Sequence, residues 1–480
     1  MIGKHQLVIG PEDFVKGMST SDNIQDGGFS PKVTVGGVEV GKVNLIANPG
    51  VLYGPATIVD SDTDNRLTGE IIGSTPDHNV LAGDNRLLFS DNDTFYRYDG
   101  TKIIAAAYTG GTASTFAEGF SDIINFAGET YVTAKERIKR WTSTSTIADL
   151  VSFTNTTYPH PAIVFENNAF YGDKNLLLRQ TAAAGTPATI LTLSLDQVII
   201  ALGIDPSTGY MLISTTSSLN ISDTLPAVNK VLWYDGFSGK PIKSMIVDEM
   251  VLSFHPVGGT VYVGYGLNLG YLTGSGIQFL RRLYNAGRVQ DELPYKHHLC
   301  SIGNTLYVVD KNQILAFGEV LPGKKVWYHA WESGTNNPDI RAIFPAGSDK
   351  LGISYETNEF ATMDVKATTA GGLLRFATNR YEFPRPVYIR KAFIEYVDAV
   401  ADANNTRNLY YSSDGFASEV EMAIEGNTTA TLKNETGATL LTIDNIIGVA
   451  EKTRTAQFRY YHSTTNYGVK RIIIYYDFAE

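Results

Sequence analysis

Four aspartates, Asp122, Asp248, Asp310 and Asp339, stand beside stretches that read as strand ends, where they could face a common channel. Glycoside cleavage needs two carboxyl groups, one held protonated as the acid and one ionised. Nothing local marks any two of the four as such a pair, and turn or strand-edge hydrogen bonding is the role expected of each. Asp60-Ser61-Asp62-Thr63-Asp64 opens like a calcium loop. That pattern requires Gly at its sixth position and Glu at its twelfth. Asn65 and Ile71 stand there instead, so the segment reads as an exposed acidic linker.

His297 and His298 are adjacent. Neighbours on a strand point to opposite faces and do not chelate one metal together. Cys300 is the only cysteine, which excludes an internal disulfide, a CxxC pair and a cysteine-rich zinc site. Its apolar surroundings read as those of a small buried hydrophobe. There is no HExxH, no Gly-x-Ser-x-Gly, no P-loop and no Rossmann fingerprint. Gly264-Tyr265-Gly266 and Gly270 lie among strands with no helix behind them to cradle a phosphate. The basic spots Lys135 to Arg140 and Arg281-Arg282 read as solvated edges. The sequence therefore predicts no catalytic, cofactor-binding or metal-binding residue, no cofactor, and a protein that is not an enzyme. Two aromatic clusters remain, Trp327, Tyr328, His329 and Trp331, and Arg459-Tyr460-Tyr461-His462. Such side chains stack on sugars, build subunit interfaces or fill cores.

The elements that must carry these residues are strands. The chain has 480 residues, with 45 Gly, 27 Tyr and 22 Phe against 7 Met, a mix that favours strands and tight turns. Hydrophobic residues are 43% and charged residues 19%, the balance of a globular chain with a sizeable core. A net charge of −11 weighs against a nucleic-acid binder and suits a surface that DNA passes without sticking. No apolar core of signal-peptide length follows Met1-Ile2-Gly3-Lys4-His5, so no export signal is expected. The longest apolar run, Leu191 to Leu202, is broken by Asp196 and Gln197, so no membrane span is expected either.

Residues 1–66 read as an extended N-terminal arm with short strands, punctuated by Gly27-Gly28, Gly36-Gly37 and Asn48-Pro49-Gly50. Residues 67–366 carry a loose repeat of an apolar strand, a polar turn and an aromatic-rich strand. Examples are Asn85 to Ser90 with Thr94 to Gly100, Ile123 to Gly128 with Thr130 to Thr133, and Ala162 to Phe165 with Ala169 to Gly172. Further units begin at Tyr210, Met250, Leu299 and Ile340. Short strands repeating at roughly 35–50 residues are the signature of propeller blades, about seven of them. After Thr368-Thr369-Ala370-Gly371-Gly372 the blade motif stops. Residues 367–480 show longer strands, Leu374 to Phe383 and Val387 to Val397 among them, and suit a β-sandwich or jelly roll of about 110 residues. The expected fold is all-β, a propeller followed by a sandwich.

The arm phrase Asn44-Leu45-Ile46-Ala47-Asn48-Pro49-Gly50-Val51-Leu52 resembles the opening of virion proteins of tailed bacteriophages. The phrases Tyr96-Arg97-Tyr98-Asp99-Gly100, Tyr410-Tyr411-Ser412-Ser413-Asp414-Gly415 and Arg471 to Asp477 are similar to others in that group. The whole plan resembles the tail nozzle, or hub, proteins of short-tailed phages. This resemblance implies a non-enzymatic structural subunit of the virion tail, made in the host cytoplasm, that lines or closes the DNA exit path. It implies a homo-oligomeric ring, contacts with portal, adaptor or other tail components, and DNA passing without sequence-specific binding. The alternative is a glycan-binding fibre or adhesin that holds host surface polysaccharide, and behind it a propeller glycoside hydrolase. No site residue is carried over from the resemblance.

Overall fold

The structure, a computed structural model, describes residues 5–14, 33–35, 38–40, 58–63, 66–67, 71–76, 85–90, 95–108, 122–134, 136–143, 146–219, 227–283, 296–310, 312–321, 323–332, 340–355, 359–366, 374–378, 380–397, 407–413, 420–422, 440–443, 452–462 and 468–479. By compactness the chain divides into two units. One comprises Val59–Asn312 and Ser333–Thr362, the other Met1–Ile58, Gln313–Glu332 and Met363–Glu480.

Among the described residues, seven four-stranded antiparallel sheets follow one another along the chain. Their first strands are Ile71–Pro76, Ile123–Phe126, Ala162–Phe165, Val198–Asp205, Val251–Val257, Leu299–Ile302 and Ile340–Pro345. Each of these packs against the first strand of the next sheet, and Ile340–Pro345 packs against Ile71–Pro76. The ring is closed, and the fold is a seven-bladed β-propeller, with blades 1 to 7 numbered in that order. The fourth strand of blade 7 is Ile58–Asp60, which comes from upstream of blade 1 and of the residue at which the repeat begins.

Blades stick together because each sheet is apolar on both faces. Phe165, Phe170 and Leu177 of blade 3 share a core with Met211, Ile213 and Leu232 of blade 4. Leu212 and Trp233 of blade 4 share another with Phe254 and Val263 of blade 5. Leu88, Tyr96 and Tyr98 of blade 1 meet Phe344 and Phe360 of blade 7 across the closure. The approach is tightest at Gly203, where a Cβ would lie 2.4 Å from the Phe254 Cβ, so only glycine fits.

Turn chemistry sets the hairpins. Gly258 and Gly259 both have positive φ, +55° and +83°, as a two-residue hairpin of the primed type requires. The Tyr-Asp-Gly phrase recurs before the outermost strand of blades 1 and 4 because Asp folds the turn onto itself. Asp99 Oδ1 accepts from the amides of Thr101 and Lys102, both at 2.8 Å. Asp235 Oδ1 accepts from Phe237 and Ser238 at 2.9 and 2.8 Å.

In blades 1 and 4 the sequence repeat marks only the second and third strands. The innermost strands, Ile71–Pro76 and Val198–Asp205, lie upstream of it. The segment read as an exposed acidic linker is also different. Ser61 and Asp62 are buried, because the Ser61 amide donates to the Phe360 carbonyl of blade 7 and its carbonyl accepts from Ile103 of blade 1. Asp62 turns the chain inward by accepting from the amides of Arg66 and Leu67, at 2.7 and 2.9 Å.

The other unit holds one eight-stranded antiparallel sheet folded into the two leaflets of a β-sandwich, which are joined where Tyr381–Tyr396 pairs with Thr453–His462. One leaflet has His5–Ile9, Val469–Phe478, Tyr381–Tyr396 and Leu440–Ile443; the other has Leu374–Ala377, Thr453–His462, Arg407–Ser412 and Val420–Glu421. The hydroxyls of Tyr396 and Tyr460, one from each leaflet, are 2.9 Å apart and buried. Tyr381–Tyr396 is one strand where the sequence suggests a break. Pro384 and Pro386 fall at the irregularity between Glu382 and Val387, where missing amides interrupt the ladder to Thr453–His462. The N-terminal strand His5–Ile9 pairs antiparallel with Val469–Phe478, and Phe14 of the turn behind it packs edge-on to Phe376 at 5.8 Å. The same unit contains the hairpin Gln313–Leu321 with Lys324–Glu332.

Candidate functional site

Antiparallel pairing brings the described aspartates to one end of the propeller, the end where innermost strands begin. Asp122 precedes the innermost strand of blade 2, Asp310 ends the second strand of blade 6, and Asp248 follows the outermost strand of blade 4. They stand at three different distances from the axis and form no side-by-side pair. Asp339 lies outside the described residues.

Asp122 has a defined structural task. Its carboxylate is 7% exposed. Oδ1 is ion-paired with Lys296, and Oδ2 accepts from the Ala162 amide of blade 3 at 2.9 Å. Lys296 Nζ also donates to the Ala162 carbonyl at 3.3 Å. With both oxygens of the buried Asp122 carboxylate partnered, the cost of an uncompensated buried charge is avoided. No local signal announces the pairing, because the partners are 174 residues apart.

Lys296 belongs to a one-turn 3-10 helix, Lys296–His298. The sequence reading put His297 and His298 on a strand; they are instead in the turn that leads into the innermost strand of blade 6. The imidazole of His297 lies 3.5 Å from where a Cβ on Gly73 of blade 1 would stand. His255, on the innermost strand of blade 5, has a buried Nε2 with no hydrogen-bond partner among the described residues. Burial, reinforced by the positive charge of Lys296, pulls its pKa down to about 4. It is neutral at pH 7.

Cys300 is fully buried in the innermost strand of blade 6, and burial pushes its thiol far above the ordinary range, which makes it inert as a nucleophile. Gly266 turns the hairpin after Thr260–Tyr265 at φ +49°, with the Glu249 carboxylate filling the space a side chain would need. Of the basic spots, Arg137 and Arg140 are paired with Asp149 and Glu129. Arg281 is buried opposite Leu269, contrary to its reading as a solvated edge, although its strand is the outermost of blade 5. Lys135 lies outside the described residues.

The described side chains of the aromatic clusters are core, and those of Tyr461 and His462 lie outside the described residues. Trp327, Tyr328, His329 and Trp331 are buried in the Gln313–Glu332 hairpin, with Phe317 and Trp327 rings 4.8 Å apart. Tyr460 is buried in the sandwich, and the Arg459 guanidinium lies 4.4 Å over the Tyr410 ring. A sugar platform would need those faces open.

Large apolar side chains are exposed elsewhere, and they concentrate at the rim of blades 3 to 5. Ile246 is 73% exposed and Ile242 51% on or beside the outermost strand of blade 4; Phe279 is 56% exposed on that of blade 5. Leu195, in the connection between blades 3 and 4, and Phe237, five residues before Ile242, are also exposed. Phe237 sits beneath the Arg179 guanidinium of blade 3, at 5.7 Å. No residue-type pattern distinguishes these from core positions, which is why the sequence reading missed them.

Among the described residues no group of His, Cys, Asp and Glu is placed to hold a metal ion, and no helix is long and apolar enough to cross a membrane. The protein is thus a β-propeller protein with an appended β-sandwich. No protein-family model matches its sequence, and no curated protein is detectably similar to it. A solved structure described as YCF48 bound to D1 peptide is similar, with a TM-score of 0.45 and 10% identity, spanning 65% of this chain and 96% of that one. At that level of likeness no function passes from one to the other.

Proposed function

We propose that this protein is a structural, non-enzymatic subunit of a tailed-phage virion, a tail nozzle or hub ring component that lines or closes the DNA exit path. The observation that carries the reading is the apolar rim of Ile242, Ile246 and Phe279 on neighbouring blades. Among the described residues, the outermost strand of blade 4 has an unpaired ladder edge beside a well-exposed isoleucine. In a protein working alone such an edge invites aggregation; in an assembly it is an interface. Rigid blades, a net charge of −11 and the structural engagement of Asp122 support the same reading. Identical copies contacting head to tail form a ring where the rotation between them closes.

Native mass spectrometry of the purified chain, with negative-stain images of the same sample, tests this. A closed ring of several copies with a central opening is expected. A monomer at micromolar concentration overturns the ring reading.

A further inference from the structure

The Lys296–His298 turn makes contacts that no element on the flank of the propeller could make together. It is continuous with the innermost strand of blade 6 and packs on the innermost strands of blades 5 and 7. Lys296 reaches Asp122 at the head of blade 2 and the Ala162 carbonyl of blade 3. His297 lies against Gly73 of blade 1. Only a segment on the axis is within reach of six of the seven blades. We propose that this turn is an axial stopper, latched by Lys296 on Asp122, that closes the propeller's own channel and can swing out when the latch is broken.

The latch is a single lysine with 42% of its side chain exposed, on a single turn, holding a buried carboxylate. The Lys296–Asp122 contact lies outside the blade sheets, although the same turn buries His298 and packs on blades 5 and 7, and contacts outside the sheets open at lower free energy than the sheets they cover. In the closed state the channel of the propeller carries no polymer, so a DNA path must run through the opening between copies. The stopper itself does not depend on the virion reading.

Cys300 reports on it, being the only cysteine, buried, and two residues beyond the turn. The test is the rate at which 5,5′-dithiobis(2-nitrobenzoate) labels Cys300 in folded protein at pH 8, in wild type, Lys296→Met and Asp122→Asn. Both variants are expected to label at least about tenfold faster, with unchanged circular dichroism. Lys243→Met, at the rim, is expected to label as wild type does. Equal rates in the folded latch variants overturn the proposal. If neither variant folds, amide exchange of the wild type decides. The amides of His297 to Cys300 are expected to exchange together and before those of Leu306 to Val309. Exchange of both groups only on global unfolding overturns it.

Discussion

The hydroxyls of Ser61 and Thr362 lie 3.2 Å apart, both buried, although 301 residues separate them in the chain. This contact sits where the strand Ile58–Asp60 completes blade 7 and the ring closes. A propeller closed by hydrogen bonds between its two chain ends, rather than within one local repeat, is held by cooperativity around the whole circle.

Ser61→Ala and Thr362→Val should each lower stability by about 1 kcal/mol in urea unfolding, the worth of one buried hydrogen bond. The double variant should lose clearly less than the sum, since both remove the same contact. Strict additivity would show that the pair is not coupled.

Gly203→Ala should cost about 1–3 kcal/mol, because the added methyl meets the Phe254 Cβ, which cannot move without its backbone. Adding Phe254→Leu should not recover all of it, since the Cβ remains. A melting temperature unchanged in Gly203→Ala would contradict the close packing of blades 4 and 5.

Stability should fall on acidification through His255. Its pKa is about 4 in the folded protein and 6.5 in an ordinary environment, so between those values the unfolded chain binds the extra proton. The contribution is complete above pH 6.5, declines as pH drops, and levels off below pH 4. The loss is roughly 3 kcal/mol. Charging this ring places it near Lys296, with Tyr262 as its cross-strand neighbour. Unfolding free energies from pH 7 to pH 4 should show this slope, and His255→Phe should flatten it.

Ile246→Asp with Phe279→Asp should dissolve the proposed ring into monomers while changing monomer stability by no more than about 0.5 kcal/mol, because both positions are exposed. Analytical ultracentrifugation reads the first effect and thermal melting the second. A ring that survives both charges would move the interface elsewhere.

Strand identity was legible from the chain itself. Alternating aromatic and apolar residues with Asp-Gly and Gly-Gly turns specify short antiparallel strands, and their repetition specifies blades, because those signals act over a few residues. Val198–Asp205 was harder, since a run buried on both faces loses its alternation. The closing strand was illegible, because Ile58–Asp60 earns its place by pairing with blade 7 about 300 residues away. For the same reason the alternation in Trp327 to Trp331 could not say which face would be covered.

The composition, the turns and the repeat thus determined by themselves an all-β chain of seven similar units followed by a different β domain. Only the tertiary structure decided which charges meet. Asp122 and Lys296 become partners because ring closure brings blades 2, 3 and 6 around one axis, a relation that no local spacing encodes.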